Sequence, residues 1–252
     1  MANYRSYVIC TSPRSGSTLL CNLLASTGVA GNPESYFHTA SLDDWWIDLG
    51  LVSQRPTVET ETLRQVFKIA REQGTAGTSI FGLRLQRHSF AFFVEKAGLL
   101  FPGHRCDRLR FEAAFGKTLF IHLSRLDKVD QAISYVKATQ TGLWHRAADG
   151  SELERLSPPE EPVYDSQAIE LARDELTAQD NEWEDWFRQE KITPLRVTYD
   201  QLSENPLGVL TGILVSLGID PAVANGVTPG VAKLADSTNR GWKRDFIVET
   251  TK

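Results

Sequence analysis

Apolar positions change their rhythm several times along the chain, and each change marks an element. Tyr7-Val8-Ile9-Cys10 is an unbroken apolar run, which predicts a short strand buried on both faces. Turn formers occupy positions 11 to 18, and Leu19 to Ala25 then predicts an apolar helix closed by Gly28 as its cap. Ser41 with Asp44 three residues on, ahead of Trp45-Trp46-Ile47, has the spacing of a capping box and starts another helix. Leu63 to Arg71 is helical, Ile80 to Leu85 reads as a strand, and Thr118 to Leu123 is the clearest buried strand, followed by helical spacing from Val129 to Ala138. Ile169, Ala172, Leu176, Trp183 and Phe187 recur on one helical stripe. Leu195 to Tyr199 predicts a last strand and Pro206 to Leu217 a last long helix.

Strands and helices alternating in this way predict an α/β fold, a parallel central sheet flanked by helices, in one domain spanning residues 1 to 252. Gly150 to Asp165 holds Pro158, Pro159 and Pro162 with five Asp and Glu residues, so it reads as a surface loop and a lid. Ligands of parallel sheets bind beyond the carboxyl ends of the strands. Residues 12 to 18, just after the first strand, are therefore the first place to look for chemistry.

Composition narrows the chemistry. The 252 residues are 41% apolar with a formal net charge of -5, which is the wrong sign for a nucleic-acid binder, so an anionic ligand needs a local cluster of cations. Cys10, Cys21 and Cys106 form no C-x-x-C pair and have no histidine at zinc-ligand spacing, which predicts no metal and a reducing compartment. The first apolar run is too short for a signal peptide, and no run approaches a membrane span. The expectation is a cytoplasmic protein without membrane insertion.

Pro13-Arg14-Ser15-Gly16-Ser17-Thr18 stands between a strand and a helix, where backbone N–H groups and a helix N-terminus enclose phosphate or sulfate. Gly16 allows close approach, Arg14 adds charge, and Ser15, Ser17 and Thr18 add hydroxyls. No lysine precedes Ser17-Thr18, and Ser124 and Arg125, with no Asp, follow Leu123. That departs from the pattern of NTP-hydrolysing P-loops and points to a nucleotide whose reacting group needs cationic stabilisation alone.

At this point the sequence resembles the sulfotransferases that use 3′-phosphoadenylyl sulfate, and within them the bacterial trehalose 2-sulfotransferase family. Residues 12 to 20 are similar to the 5′-phosphosulfate loop, and residues 27 to 37 to the segment bearing the catalytic carboxylate. His122 to Arg125 with Gln131 to Ser134 are similar to the strand and helix that hold the 3′-phosphate, and Gln140-Thr141, Trp144, Tyr199 and residues 235 to 242 extend the likeness. Three points depart from the pattern: Glu34 follows Pro33 directly with Ser35 in the next place, Arg84 stands where the family has lysine, and Gln86, Arg87 and His88 do not repeat the family's aromatic.

The resemblance implies a P-loop-like sulfotransferase fold and transfer of a sulfuryl group to an alcohol, most plausibly a carbohydrate hydroxyl, by a cytoplasmic homodimer without a metal. It implies Glu34 as general base and Arg14 as the cation on the leaving phosphosulfate. Pro13, Ser15, Gly16, Ser17 and Thr18 complete the donor loop. Arg125 and Ser134 hold the 3′-phosphate, under a closing tail at about 233 to 246 that offers Lys233, Arg240 and Lys243. Glu34, Tyr36, Phe37, Arg84 and Trp144 face the acceptor. His38 is the rival base, while His122 and Trp45, Trp46, Trp183 and Trp186 read as packing. A silent nucleotide-binding protein and a metal-dependent nucleotide kinase are the alternatives.

Overall fold

Strand β1 (Ser6–Thr11) organises the molecule, because all six of its residues are buried and it pairs in parallel on both sides. The structure, a computed structural model, describes residues 4–52, 54–146, 149–228, 230 and 237–250. Beside β1 lie β2 (Phe81–Gln86) and β3 (Thr118–Ser124), and β6 (Leu195–Thr198) pairs with β3, giving the all-parallel order β2-β1-β3-β6. The chain therefore leaves β1 toward one neighbour and reaches the other later. The carboxyl ends of β1 and β3 flank the point where the order reverses, which is where such sheets open a binding crevice.

Successive β1 side chains feed opposite cores. Val8 and Cys10 join the larger aromatic cluster with helices α2 (Leu42–Asp48), α3 (Glu59–Thr75), α4 (Arg87–Leu100), α5 (Asp107–Phe115) and α7 (Ser166–Gln189). Tyr7 and Ile9 join α1 (Ser17–Ser26) and α9 (Pro206–Leu217) on the other face. A third cluster joins α6 (Lys128–Thr141), α7 and α10 (Ser237–Thr250) through Ile133, Ile169, Trp242 and Phe246. Short helix α8 (Tyr199–Glu204) follows β6 directly, capped by a full Thr198/Gln201 capping box.

The predicted elements are present, with their ends moved by a few residues, and Ser41 caps α2 through the Asp44 N–H. Three features differ from expectation. Helices α4 and α5 fill residues 87 to 115, where the sequence shows no clean stripe, because α4 carries Phe90, Phe92, Phe93 and Val94 almost side by side. The segment expected to be loop at 150 to 165 contributes a strand: β5 (Glu152–Arg155) pairs antiparallel with β4 (Leu143–Arg146) in a separate hairpin. None of its residues is fully buried, so no apolar alternation announced it. The tail from Ser237 onward is helix α10, and Lys233 lies outside the described residues.

Glu34 reaches the sheet by a single parallel bridge to Leu83, with the Arg84 N–H donating to Glu34 O at 3.0 Å. That contact covers the outer edge of β2. Gly31 makes it fit: at φ +76° a Cβ there would lie 2.5 Å from both Gly74 O and Ile80 O. Gly28 is also left-handed, at φ +67°, but faces open space. Gly31→Ala is expected to cost about 3 kcal/mol and Gly28→Ala about 1 kcal/mol. At about 2–4 °C per kcal/mol for a domain of this size, Tm falls about 6–12 °C in the first and at most about 4 °C in the second. Equal shifts in thermal denaturation would show that backbone conformation, and not crowding against the sheet, sets the requirement.

Candidate functional site

The loop between β1 and α1 is tied down from below before any ligand is considered. Thr11 Oγ1 donates to Leu123 O at 2.8 Å and shares a 2.5 Å hydrogen bond with Ser15 Oγ, which joins the ends of β1 and β3. Ser12 Oγ donates to Asp180 Oδ1 at 3.0 Å, while Gln131 Nε2 donates to Ser12 Oγ at 3.0 Å and to Pro13 O at 2.6 Å. Lys128 pairs with the other oxygen of Asp180, and Trp183 Nε1 donates to Thr11 O at 2.9 Å. Helices α6 and α7 thus hold the loop by side chains whose roles only tertiary structure reveals.

Above these ties the loop is shaped for an anion. Arg14 at φ +62° and Gly16 at φ +86° are both left-handed, a backbone turn that gathers N–H groups on one side. Gly16 caps α1 without a side-chain acceptor, so the first-turn amides of α1 have no side-chain cap. A Cβ at position 16 would stand 2.9 Å from the Tyr199 ring, so glycine is required for space as well as for φ.

Arg14 itself donates from Nε to Ser134 Oγ at 3.0 Å and from Nη1 to the Trp144 carbonyl. Among the described residues no carboxylate lies within ion-pair distance of it. Burial, and after it the charge of Arg125, bring Arg14 down to about 10, so at neutral pH it is a cation held close to another cation. Arg125, nine-tenths buried, packs its guanidinium 4.4 Å over the Tyr199 ring and pairs with Asp130 at 3.6 Å. Lys243 on α10 reaches the same Asp130 at 3.2 Å and also pairs with Asp127 at 2.6 Å. Arg125 and Lys243 thereby converge on the start of α6, whereas Arg240 is exposed on α10.

Two basins meet at Arg14. A basin of about 420 Å³ is walled by Arg14, Ser134, Lys137, Arg146 and Arg155, with Pro159 to Pro162 along its margin. A larger one of about 760 Å³ is lined by Thr18, Glu34, Arg84, Trp144, His145 and Glu154 among others, and Arg14 borders it as well. Pro13, Ser17, Ser35, Tyr36 and His38 also face the larger basin. Ser15 is buried beneath the loop, and Phe37 is fully buried in the aromatic core against Trp45, Phe67 and Phe93, so it does not reach the basin. His122 pairs with Glu184 at 3.0 Å away from both basins, and burial lowers its pKa, as a packing histidine requires.

Inside the larger basin a chain of contacts crosses from the β2 edge to the hairpin. Arg84 donates from Nε to Ser35 Oγ at 2.7 Å and from Nη1 to Thr18 Oγ1 at 3.0 Å, and its Nη2 lies 4.0 Å from Glu34. Thr18 Oγ1 is 2.8 Å from His145 Nε2, and His145 Nδ1 is 2.5 Å from Glu154. His38 lies edge-on to His88 at 5.0 Å, and desolvation, then His88, lowers its pKa. His145 and Glu154 were not foreseen as site residues, since each is placed by a hairpin that has no apolar signature. Among the described residues no group of three or more His, Cys, Asp or Glu side chains forms a metal site, and no helix is long and apolar enough to cross a membrane.

Comparison with known proteins identifies the family. A family model described as Stf0 sulphotransferase matches residues 6–249. Trehalose 2-sulfotransferase of Mycobacterium tuberculosis is 28% identical over 266 residues, covering 98% of this chain and 96% of that protein. Trehalose 2-sulfotransferase of Mycolicibacterium smegmatis is 28% identical over 257 residues, covering 94% and 92%. Among solved structures, the sulfotransferase domain of the Synechococcus PCC 7002 olefin synthase superposes with a TM-score of 0.43 at 17% identity, covering 98% of this chain and 96% of that one. A sulfotransferase from Alicyclobacillus acidocaldarius superposes at 0.44 and 15% identity, covering 99% and 93%. Those superpositions are too loose to transfer residues.

The ties beneath the loop predict a stability effect. Asp180→Ala removes the partner of Lys128 and the acceptor of Ser12, leaving a largely buried charge unpaired, at a cost of roughly 3 kcal/mol. Urea denaturation of Asp180→Ala beside Asp180→Ala with Lys128→Met should show the double variant recovering part of that loss. No recovery would mean that Ser12, and not the ion pair, carries the effect.

Proposed function

The chain belongs to the Stf0 sulphotransferase family and is a sulfotransferase, and on that premise we propose that it moves a sulfuryl group from 3′-phosphoadenylyl sulfate to a carbohydrate hydroxyl. The observation that carries this reading is Arg14, a cation without a carboxylate partner that borders both basins. The phosphosulfate lies in the loop against Arg14, the α1 amides, Ser17 and Thr18. The rest of the nucleotide extends into the smaller basic basin, its 3′-phosphate toward Ser134 and Arg125. The acceptor fills the larger basin, whose hydrogen-bonding groups and Trp144 suit the edges and face of a sugar ring. The trehalose named in the relatives makes that disaccharide the first acceptor to try.

The acceptor oxygen forms a bond to sulfur while the bond between sulfur and the bridging phosphate oxygen breaks. The acceptor's proton passes to Glu34, and the electron pair stays on the phosphate of adenosine 3′,5′-bisphosphate. Charge grows on that oxygen as the bond breaks, and Arg14 and the loop amides are already oriented toward the space it occupies. Arg84 fixes Glu34 relative to the loop by touching Ser35, Thr18 and Glu34 at once. The homodimer and the cytoplasmic setting belong to the same reading.

Incubation with donor labelled in the sulfuryl group and trehalose should yield labelled sugar without added Mg²⁺. Label released as inorganic sulfate alone, with any sugar offered, would overturn the acceptor class. Arg14→Ala should lower kcat about a hundredfold, since a preorganised donor to developing charge is worth about 3 kcal/mol. An active, folded Arg14→Ala would remove the loop assignment. Glu34→Gln should lower kcat by about 10²–10⁴ with donor affinity held. His38→Ala, assayed beside it, should change little, and the reverse result would move the base to His38.

A further inference from the structure

We propose that His145, clamped by Glu154, is the positioning residue for Thr18: it takes up a proton as the donor's phosphosulfate enters and thereby turns the Thr18 hydroxyl from itself to the ligand. The proposal rests on the reading of the loop as the phosphosulfate site. The argument is a count of hydrogens. Arg84 Nη1 can only donate, so Thr18 Oγ1 accepts there. Glu154 is held below the ordinary carboxylate range, chiefly by its hydrogen bond to His145, so it is ionised and accepts from His145 Nδ1–H. A neutral imidazole so bound has a lone pair on Nε2, 2.8 Å from Thr18 Oγ1, and the single Thr18 proton is spent on it.

In that state Thr18 has no proton for a sulfate or phosphate oxygen. An imidazolium reverses the bond. Thr18 Oγ1 then accepts from both Arg84 and His145, its two lone pairs are filled, and its proton is released toward the donor in the loop. The arriving anion supplies the driving force, because negative charge beside the imidazole favours the protonated form. His145 faces Glu154 on β5, Arg84 on β2, Glu34 and His38 on the segment flanking β2, Arg14 in the loop, and Glu175 on α7 across the same basin.

The test is calorimetric titration of the full chain with 3′-phosphoadenylyl sulfate in two buffers of different ionisation enthalpy, on the alkaline side of neutrality. Wild type should take up about one proton more than His145→Gln, and the difference cancels the ligand's own 3′-phosphate. Wild-type affinity should weaken about tenfold per pH unit as pH rises, by linkage of one proton, while His145→Gln stays level. His145→Gln, whose amide N–H always donates, should keep near-wild-type affinity at neutral pH, and His145→Ala should lose about tenfold. Thr18→Val should abolish the extra uptake. Equal proton uptake in wild type and His145→Gln would overturn the proposal. A His145→Gln variant with unaltered donor affinity and pH dependence, but kcat down a hundredfold, would also overturn it and make the imidazole a base. Failure of wild type to bind the donor would overturn the underlying loop assignment instead.

Discussion

A cation held without a counter-ion among the described residues is the constraint on which the site depends. Arg14 occupies a left-handed backbone position, is pushed down by burial and by Arg125, and is met by a serine hydroxyl and a carbonyl where a structural arginine would meet a carboxylate. Such a position is unfavourable on its own, so the surrounding fold must hold it. The Thr11–Ser15 bond, the Ser12–Asp180–Lys128 group, Gln131 on Pro13 O and Trp183 on Thr11 O do so from beneath. Lys128 and Gln131 come from α6 and Asp180 and Trp183 from α7, which makes the loop a property of the whole sheet-and-helix layer.

The strand order explains why Arg14 and Arg125 come to lie together although the register partners that precede them, Thr11 and Leu123, are 112 residues apart in sequence. Thr11 pairs with Leu123 at the ends of β1 and β3, and both chains then leave the sheet at the same edge. The reversal of strand order leaves a crevice there that no crossover helix fills. A nucleotide laid in that crevice meets the loop at one end and the start of α6 at the other. On the proposed reading, the sheet sets the separation of the two anion positions before any side chain is chosen.

Much of this was legible locally. The turn between β1 and α1 announced itself because its requirements are local: small residues, a glycine at positive φ and a strand-to-helix junction. Buried parallel strands announced themselves because both faces are apolar, and the Ser41, Pro206 and Ile169 helices because caps and stripes are short-range signals. What escaped shares one physical character. Helix α4 is aromatic on several sides at once, so it shows no stripe, and hairpin β4–β5 is half exposed and charged, so it shows no alternation. Phe37 was expected at the acceptor wall beside Tyr36, but the turn that holds both residues leaves Tyr36 on the basin and sends Phe37 into the aromatic core.

The hairpin's polarity, which hid it, is also what suits it to its place. A strand pair that packed apolar side chains into the sheet would close over the loop and seal it. This one touches the body through one aromatic contact, Trp144 edge-on to Tyr135 at 5.8 Å, and through polar ones: Trp144 O to Arg14, His145 to Thr18 and Arg155 to Thr141 O. Two of those contacts, Trp144 O with Arg14 and His145 with Thr18, sit on the residues proposed to hold the donor, so on that reading donor binding replaces the first and reverses the second without breaking it. Arg14 gives up a neutral carbonyl for a charged oxygen, and Thr18 gives up an imidazole lone pair for the same. Both exchanges favour the anion, because hydrogen bonds to ionised acceptors are roughly twice as strong as those to neutral ones. On that reading the hairpin gives up its Trp144 carbonyl contact to the donor and keeps its His145 contact.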